Sequence, residues 1–426
     1  MTLNLPITHN VATACSYISK VTRLHMHSST KHPLAFVLIS FLLFGGTAFG
    51  ITPAKKKKTR RHAAASQTPA VRTVKASYVT HSVSHLSRLP KKRIVFSPWN
   101  VPTFADSTEG DSVDGEDLMV RRAAVQALGP YNGSIVVLDP KTGRILTIVN
   151  QKLAYQSGFE PCSTIKIVAA LAGLSEGILS PQNHFRIVPR RSMDLTEALA
   201  HSNNAFFAAV GYKLGYDRII KYDELFGLGE KAGWNLDGEQ PGTLATQPPA
   251  DGLGMMTSFG EGVYMTPLEL AGIVSAVANG GTLYYLQHPR STEEVDHFVP
   301  RVKRQLEISQ WLPDIKPGMM GAVEYGTARR AGYNPSEPIF GKTGTCTDGR
   351  SPTHLGWFGS YNESGENKLV VVVLLTGGRP VSGPVASGVA GAVYKNLEQE
   401  NYFANVRKGS PMALISTQAC CALPQN

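Results

Sequence analysis

Apolar positions recur at helical spacing over Leu118–Leu128, and two runs rich in β-branched residues follow at Gly133–Leu138 and Arg144–Val149. Between them, Asp139-Pro140-Lys141-Thr142-Gly143 has the turn chemistry of a hairpin. A long middle section with mostly helical spacing is broken at Gly227–Gly229, Pro241-Gly242 and Pro248-Pro249. Three further strand-like runs come next, Ile339–Cys346, His354–Tyr361 and Lys368–Thr376, and a helical stretch over Val385–Leu397 closes the pattern. Strands at both ends with helices between them predict an α+β protein. The five strands form one antiparallel sheet with the terminal helices against it and an inserted all-helical lobe beside it.

The region before Leu118 is patterned differently. Residues 34–50 form the one long apolar run, 17 residues, at the short end for a spanning helix of about 20. Lys20, Arg23 and Lys31 precede it, and Ala48-Phe49-Gly50 offers small residues for cleavage, so it reads as a signal peptide or a membrane anchor, with Met1 or Met26 as the start. Export would place the body in the periplasm or on the outer face of the inner membrane. Residues 52–115 are rich in Ser, Thr, Pro, Lys and Arg with little apolar periodicity, a composition that buries too little surface to fold alone. The expected organisation is therefore an export segment (1–50), a basic disordered linker (51–115), a catalytic body (116–405) and a C-terminal tail (406–426).

Charge supports that division. The 426 residues carry a net +10, yet the first 93 hold fifteen basic and no acidic residues, which leaves the remainder at −5. A whole-domain nucleic-acid binder is disfavoured, since its positive charge would have to lie on the folded surface, and no nucleic-acid partner is expected. The basic arm suits contact with anionic lipid or acidic wall polymer, or is a solvated tether. Five cysteines are too few for a disulfide scaffold.

Three short motifs carry the candidate chemistry. In Ser163-Thr164-Ile165-Lys166 the serine and lysine lie on one helix face, with Ser163 expected in the first helical turn. A serine hydroxyl needs a neighbouring base, and a lysine among Ile165, Ile167 and Val168 is positioned for desolvation, which lowers its pKa. Ser202-Asn203-Asn204 ends a helical segment that begins near Leu195. Lys342-Thr343-Gly344-Thr345 falls within a strand, where a lysine beside hydroxyls suits a carboxylate and the glycine leaves room along the strand edge. Singly the first two are weak, while the third is rarely met by chance. Together, in this order, they resemble the motif set of penicillin-recognising serine enzymes.

Across about residues 130–400 the chain is similar to the transpeptidase domain of class B penicillin-binding proteins. Phe226-Gly227-Leu228-Gly229, Asn235-Leu236-Asp237-Gly238-Glu239, Ser258-Phe259-Gly260-Glu261-Gly262, Thr266-Pro267-Leu268-Glu269-Leu270, Ala278-Asn279-Gly280-Gly281, Gly326-Thr327-Ala328 and His354-Leu355-Gly356-Trp357-Phe358 add to the likeness. Cys162 stands where that family usually has Gly, Asp237 where it has Pro and Glu261 where Gln is common. The resemblance implies the serine β-lactamase/transpeptidase fold, with peptidoglycan stem peptides as substrates, β-lactams as covalent inhibitors, and neither metal nor organic cofactor.

It also implies roles. Ser163 is the nucleophile, Lys166 its base, and Ser202 with Lys342 passes a proton to departing D-Ala. Asn204 holds the acyl-side amide, and Lys342, Thr343 and Thr345 hold the terminal carboxylate beside Gly344. The N–H groups of Ser163 and Thr345 form the oxyanion hole. Glu239 and His354 are read as structural, because the Ser–Lys pair already moves the protons. Strand alternation turns Cys346 to the side of Lys342, and a Cys162–Cys346 pairing resembles the active-site disulfide of class A carbapenem-hydrolysing β-lactamases, so a disulfide is expected, with two packed thiols as the alternative. A class A-like or class D-like β-lactamase, a D,D-carboxypeptidase and a β-lactam sensor share these motifs and stay open here.

Overall fold

The computed structural model describes residues 99–180, 184–189, 191–234, 236–365 and 367–404. Its central sheet has strands β1 (Gly133–Asp139), β2 (Arg144–Val149), β3 (Ile339–Thr347), β4 (His354–Asn362) and β5 (Val370–Gly377), in the order β2-β1-β5-β4-β3. Every pairing is antiparallel. β1 and β5 are near-continuous apolar runs because both sheet faces are covered. Ile135, Val137, Val371 and Val373 pack with Val120 of the Leu118–Leu128 helix and Val393 of the Gly383–Gln399 helix. Val136, Leu138, Val372 and Leu374 pack on the other face with the helical lobe. The two-residue period of the strands thus divides the core in two.

The Pro267–Asn279 helix lies against β1, β4 and β5 on the lobe side and is buried over nearly its whole length. Thr266 and Glu269 form a capping box at its start, with Pro267 in the first helical position. β3 is the last strand in the order, so one of its edges is left without a strand partner. Gly344 lets it approach closely: a Cβ there would lie 2.9 Å from the Pro161 carbonyl oxygen and 3.2 Å from Cys162 Cβ.

The structure departs from the sequence expectation in two places. The body begins before residue 116: residues 99–115 are strapped onto it rather than forming part of a disordered linker. Ala105 N–H donates to Pro130 O, Asn132 N–H to Thr103 O, and the Asp111 carboxylate accepts from Arg121 and from the N–H groups of Asn150 and Gln151. These are polar fastenings, which apolar periodicity does not reveal. The middle section also holds two short ribbons, Phe185–Val188 with Arg191–Met193 and Thr282–Tyr284 with Val302–Gln305, too brief to leave a period-2 signal. The export segment, the linker up to residue 98 and the C-terminal tail lie outside the described residues. Among the described residues no helix is long and apolar enough to cross a membrane.

Candidate active site

Thr164 Oγ1 reaches back to Pro161 O at 2.5 Å, and the backbone closes a 3₁₀ turn over Cys162–Ile165 that runs into the Lys166–Ser175 helix. Ser163 therefore sits in a tighter turn just ahead of the α-helix, not in its first turn. Lys166 opens that helix, which is buried from Lys166 to Leu174, so the amine is drawn into the interior with it. On the lobe side a helix capped by Asp194 ends at Ala200. Ser202 follows in a left-handed conformation (φ 54°), and Asn203 caps the next helix, which Asn204 opens. The Ser-x-Asn motif is thus a corner between two helices.

Lys166 Nζ is 3.0 Å from Ser163 Oγ, 2.9 Å from Ser202 O, 3.0 Å from Ser202 Oγ and 2.5 Å from Asn204 Oδ1. Lys342 Nζ, arriving from β3, is 2.8 Å from Ser202 Oγ and 3.0 Å from Thr343 O. Two lysines, lying 36 and 140 positions away in the chain, thereby meet at the Ser202 hydroxyl. Sequence reasoning gave Asn204 a substrate contact. The structure adds a contact from its carbonyl oxygen to the lysine.

Both lysines are fully buried, and among the described residues neither hydrogen-bonds a carboxylate. Desolvation brings Lys166 down to about 6, helped by the charge of Lys342. Desolvation alone brings Lys342 down to about 7. The rings of Phe207 and Phe259 stand 5.6 Å and 6.0 Å from Lys166 Nζ and form part of the dry wall. No spacing rule singled them out in the sequence.

On β3, Thr343 Oγ1 lies 2.7 Å from Thr327 Oγ1, while exposed Thr345 accepts the Gly383 N–H at 2.7 Å on its Oγ1. The sequence did not single out Thr327 for this contact, although Gly326-Thr327-Ala328 was among the family-like segments. Cys162 and Cys346 are joined in a disulfide with Cα atoms 5.6 Å apart. Cys162 also has a left-handed backbone (φ 49°), a conformation natural to the glycine it replaces in the family pattern. Trp357 Nε1–H holds the Glu160 carbonyl at 2.9 Å. The Glu160 carboxyl is pushed up to about 7 by burial, then by Glu261 and Asp348. Glu239 accepts the N–H groups of Ala232 and Gly233, and the His354 ring packs on Trp99.

A family profile described as "Penicillin binding protein transpeptidase domain" matches residues 133–397, from the first sheet strand into the last helix. "Stage V sporulation protein D" of Bacillus subtilis is 28% identical over 316 residues, which is 63% of this chain and 48% of that protein. "Peptidoglycan D,D-transpeptidase MrdA" of Haemophilus influenzae is 24% identical over 360 residues, 64% of this chain and 54% of its own. "Peptidoglycan D,D-transpeptidase PbpA" of Mycolicibacterium smegmatis is 24% identical over 357 residues, 68% of this chain and 71% of its own. The chain spans about half the length of the first two of these relatives. With the five-stranded sheet, the matched span and these similarities in agreement, the chain belongs to the family of penicillin-binding protein transpeptidase domains.

Proposed function

We propose that this protein is a serine D,D-acyltransferase that takes an acyl group from the D-Ala-D-Ala end of a peptidoglycan stem peptide and passes it to the amine of a second stem, forming a cross-link. One observation carries the reading: a dry lysine amine 3.0 Å from a serine hydroxyl. A neutral amine has two protons and one lone pair. Two acceptors, Ser202 O and Asn204 Oδ1, take the protons, which leaves the lone pair for the Ser163 hydroxyl.

Ser163 Oγ then attacks the penultimate D-Ala carbonyl while its proton moves to Lys166. The N–H groups of Ser163 and Thr345 are assigned to the oxyanion. Ser202 Oγ, between the two lysines, hands a proton to the departing D-Ala amine and is resupplied from Lys166. Lys342, Thr343 and Thr345 are assigned to the terminal carboxylate beside Gly344, and the Asn204 amide NH₂ to the acyl side. A β-lactam, which presents a strained amide and a carboxylate with the same spacing, would acylate Ser163 and stay there. Export and residence on the outer face of the inner membrane, through residues 34–50, belong to the same proposal, as does contact of the basic arm with membrane or wall polymer.

Incubation with benzylpenicillin, followed by intact mass, tests the reading. An adduct on Ser163 that persists for many minutes is expected. Clearance within seconds with accumulating hydrolysed drug would overturn it in favour of a β-lactamase. Release of D-Ala from a pentapeptide without cross-linked product would make it a carboxypeptidase.

A further inference from the structure

We infer that Thr327 is a positioning residue for the acyl donor's carboxylate, acting through the hydroxyl of Thr343; this rests on the carboxylate assignment made under the proposed function. A threonine hydroxyl has one proton and two lone pairs. Thr343 is buried, at 4% exposure, and its Oγ1 lies 2.7 Å from Thr327 Oγ1 with either atom able to donate. Among the described residues no other side chain hydrogen-bonds either hydroxyl. Once Thr343 gives its proton to a carboxylate, one polarity remains: Thr327 donates to Thr343. The two hydroxyls then form an aligned chain in which each bond strengthens the next.

Thr345 shows the same arrangement by other means. Its Oγ1 accepts the Gly383 N–H at 2.7 Å, which turns the Thr345 proton away from that donor. Each of the two β3 hydroxyls assigned to the carboxylate thus has a protein donor behind it, a main-chain amide for Thr345 and the Thr327 hydroxyl for Thr343. Only the second can be altered by changing a side chain.

Thr327 is also fixed relative to the catalytic corner. Its N–H donates to Ala200 O at 3.1 Å, two residues before Ser202. Gly326 leaves no space there, since a Cβ would lie 2.2 Å from the same oxygen. Tyr325 OH donates to Glu197 Oε1 at 3.0 Å on the helix that ends at Ala200. The 325–327 loop therefore rests on the Ser202 side, and the hydroxyl pair carries that placement across to β3.

The test compares second-order acylation rates of the full chain by benzylpenicillin and by its methyl ester, which lacks the carboxylate charge. Thr327→Val should slow acylation by the acid roughly three- to tenfold, the worth of one neutral hydrogen bond, and leave the ester rate unchanged. Thr327→Ser should restore the acid rate. Equal slowing of acid and ester in Thr327→Val, or no slowing of the acid, overturns the inference. Should the valine variant fail to fold, Thr327→Ala is read by the same acid-to-ester ratio with the same outcomes. Absence of any Ser163 adduct in the unaltered protein is a different failure, and sinks the functional reading itself.

Discussion

Two pairs of buried charged side chains sit in different parts of the molecule and are treated in opposite ways. Glu239 and Glu269, under the loops beside the helical lobe, are 1% and 3% exposed. Backbone amides wrap both: Ala232 and Gly233 donate to Glu239, and Thr266, Gly229 and Gly242 donate to Glu269. Burial still raises both, Glu269 to about 7. Lys166 and Lys342 are equally deep, but their partners include the side-chain oxygens of Ser163, Ser202 and Asn204. An amide N–H holds a charge and cannot give up its proton, whereas a hydroxyl can. Depth alone does not separate a strut from a catalyst; the partner's ability to move a proton does.

The widest break between the pairs is expected at Lys166. Lys166→Met should cut acylation roughly 10²- to 10⁴-fold, the usual worth of a positioned general base. It should also raise the melting temperature, because it removes an amine that the fold must hold neutral. The lowered pKa has a defined sign: above about 6 the unfolded chain binds more protons at this residue than the native state does, so stability climbs with pH up to the ordinary lysine range. That climb should be shallower in Lys166→Met, as read by denaturant melts at a series of pH values.

Glu269→Ala should do the reverse. With three N–H groups deprived of their acceptor, it should cost about 3 kcal/mol in chemical denaturation, while the acylation rate per folded molecule is kept. A Glu269→Ala protein that folds normally but acylates poorly would erase the distinction between strut and catalyst.

A smaller effect tests the covalent fastening at the same site. Cys346→Ser should lower stability by about 2 kcal/mol, and adding Cys162→Gly should recover about 1 kcal/mol of that, because glycine accepts the left-handed backbone that an unlinked cysteine resists. Equal stability of the single and double variants would show that the backbone at 162 carries no penalty.

The last test is the shape of the pH profile. Acylation should rise tenfold per unit up to about pH 6 as Lys166 loses its proton, then fall above about 7 as Lys342 loses the charge assigned to the carboxylate. A profile flat from pH 5 to 9 would remove both lysines from the proton path.

Much of this was legible in the chain because it rests on local chemistry. The five strands and both terminal helices lie where period and turn residues put them, since β-branched runs bounded by Pro, Gly and Asp have few alternatives. Ser163, Lys166, Ser202, Asn204 and Lys342 meet as their motif order implied. What stayed hidden depends on contacts at long range between ordinary residues. Nothing in the neighbourhood of Thr327 marks it as the partner of Thr343, sixteen positions away on another element. The strap over 99–115 was read as linker because Asp111, Thr103 and Asn100 fasten it by polar bonds rather than by apolar packing, and such residues are equally common in tethers.

The backbone at Cys162 sets an order on history. Two of glycine's four codons lie one base from a cysteine codon, so a glycine so encoded at this left-handed position becomes cysteine in a single step. Taken first, that step leaves a side chain in a conformation disfavoured by roughly 1–2 kcal/mol, with nothing to hold it. A cysteine acquired first at 346, half-buried on an edge strand, disturbs no such conformation. The path without a destabilised intermediate therefore places the β3 thiol before its partner beside the nucleophile. An ancestral sequence that pairs Cys346 with the family's glycine ahead of the serine is the form that path passes through.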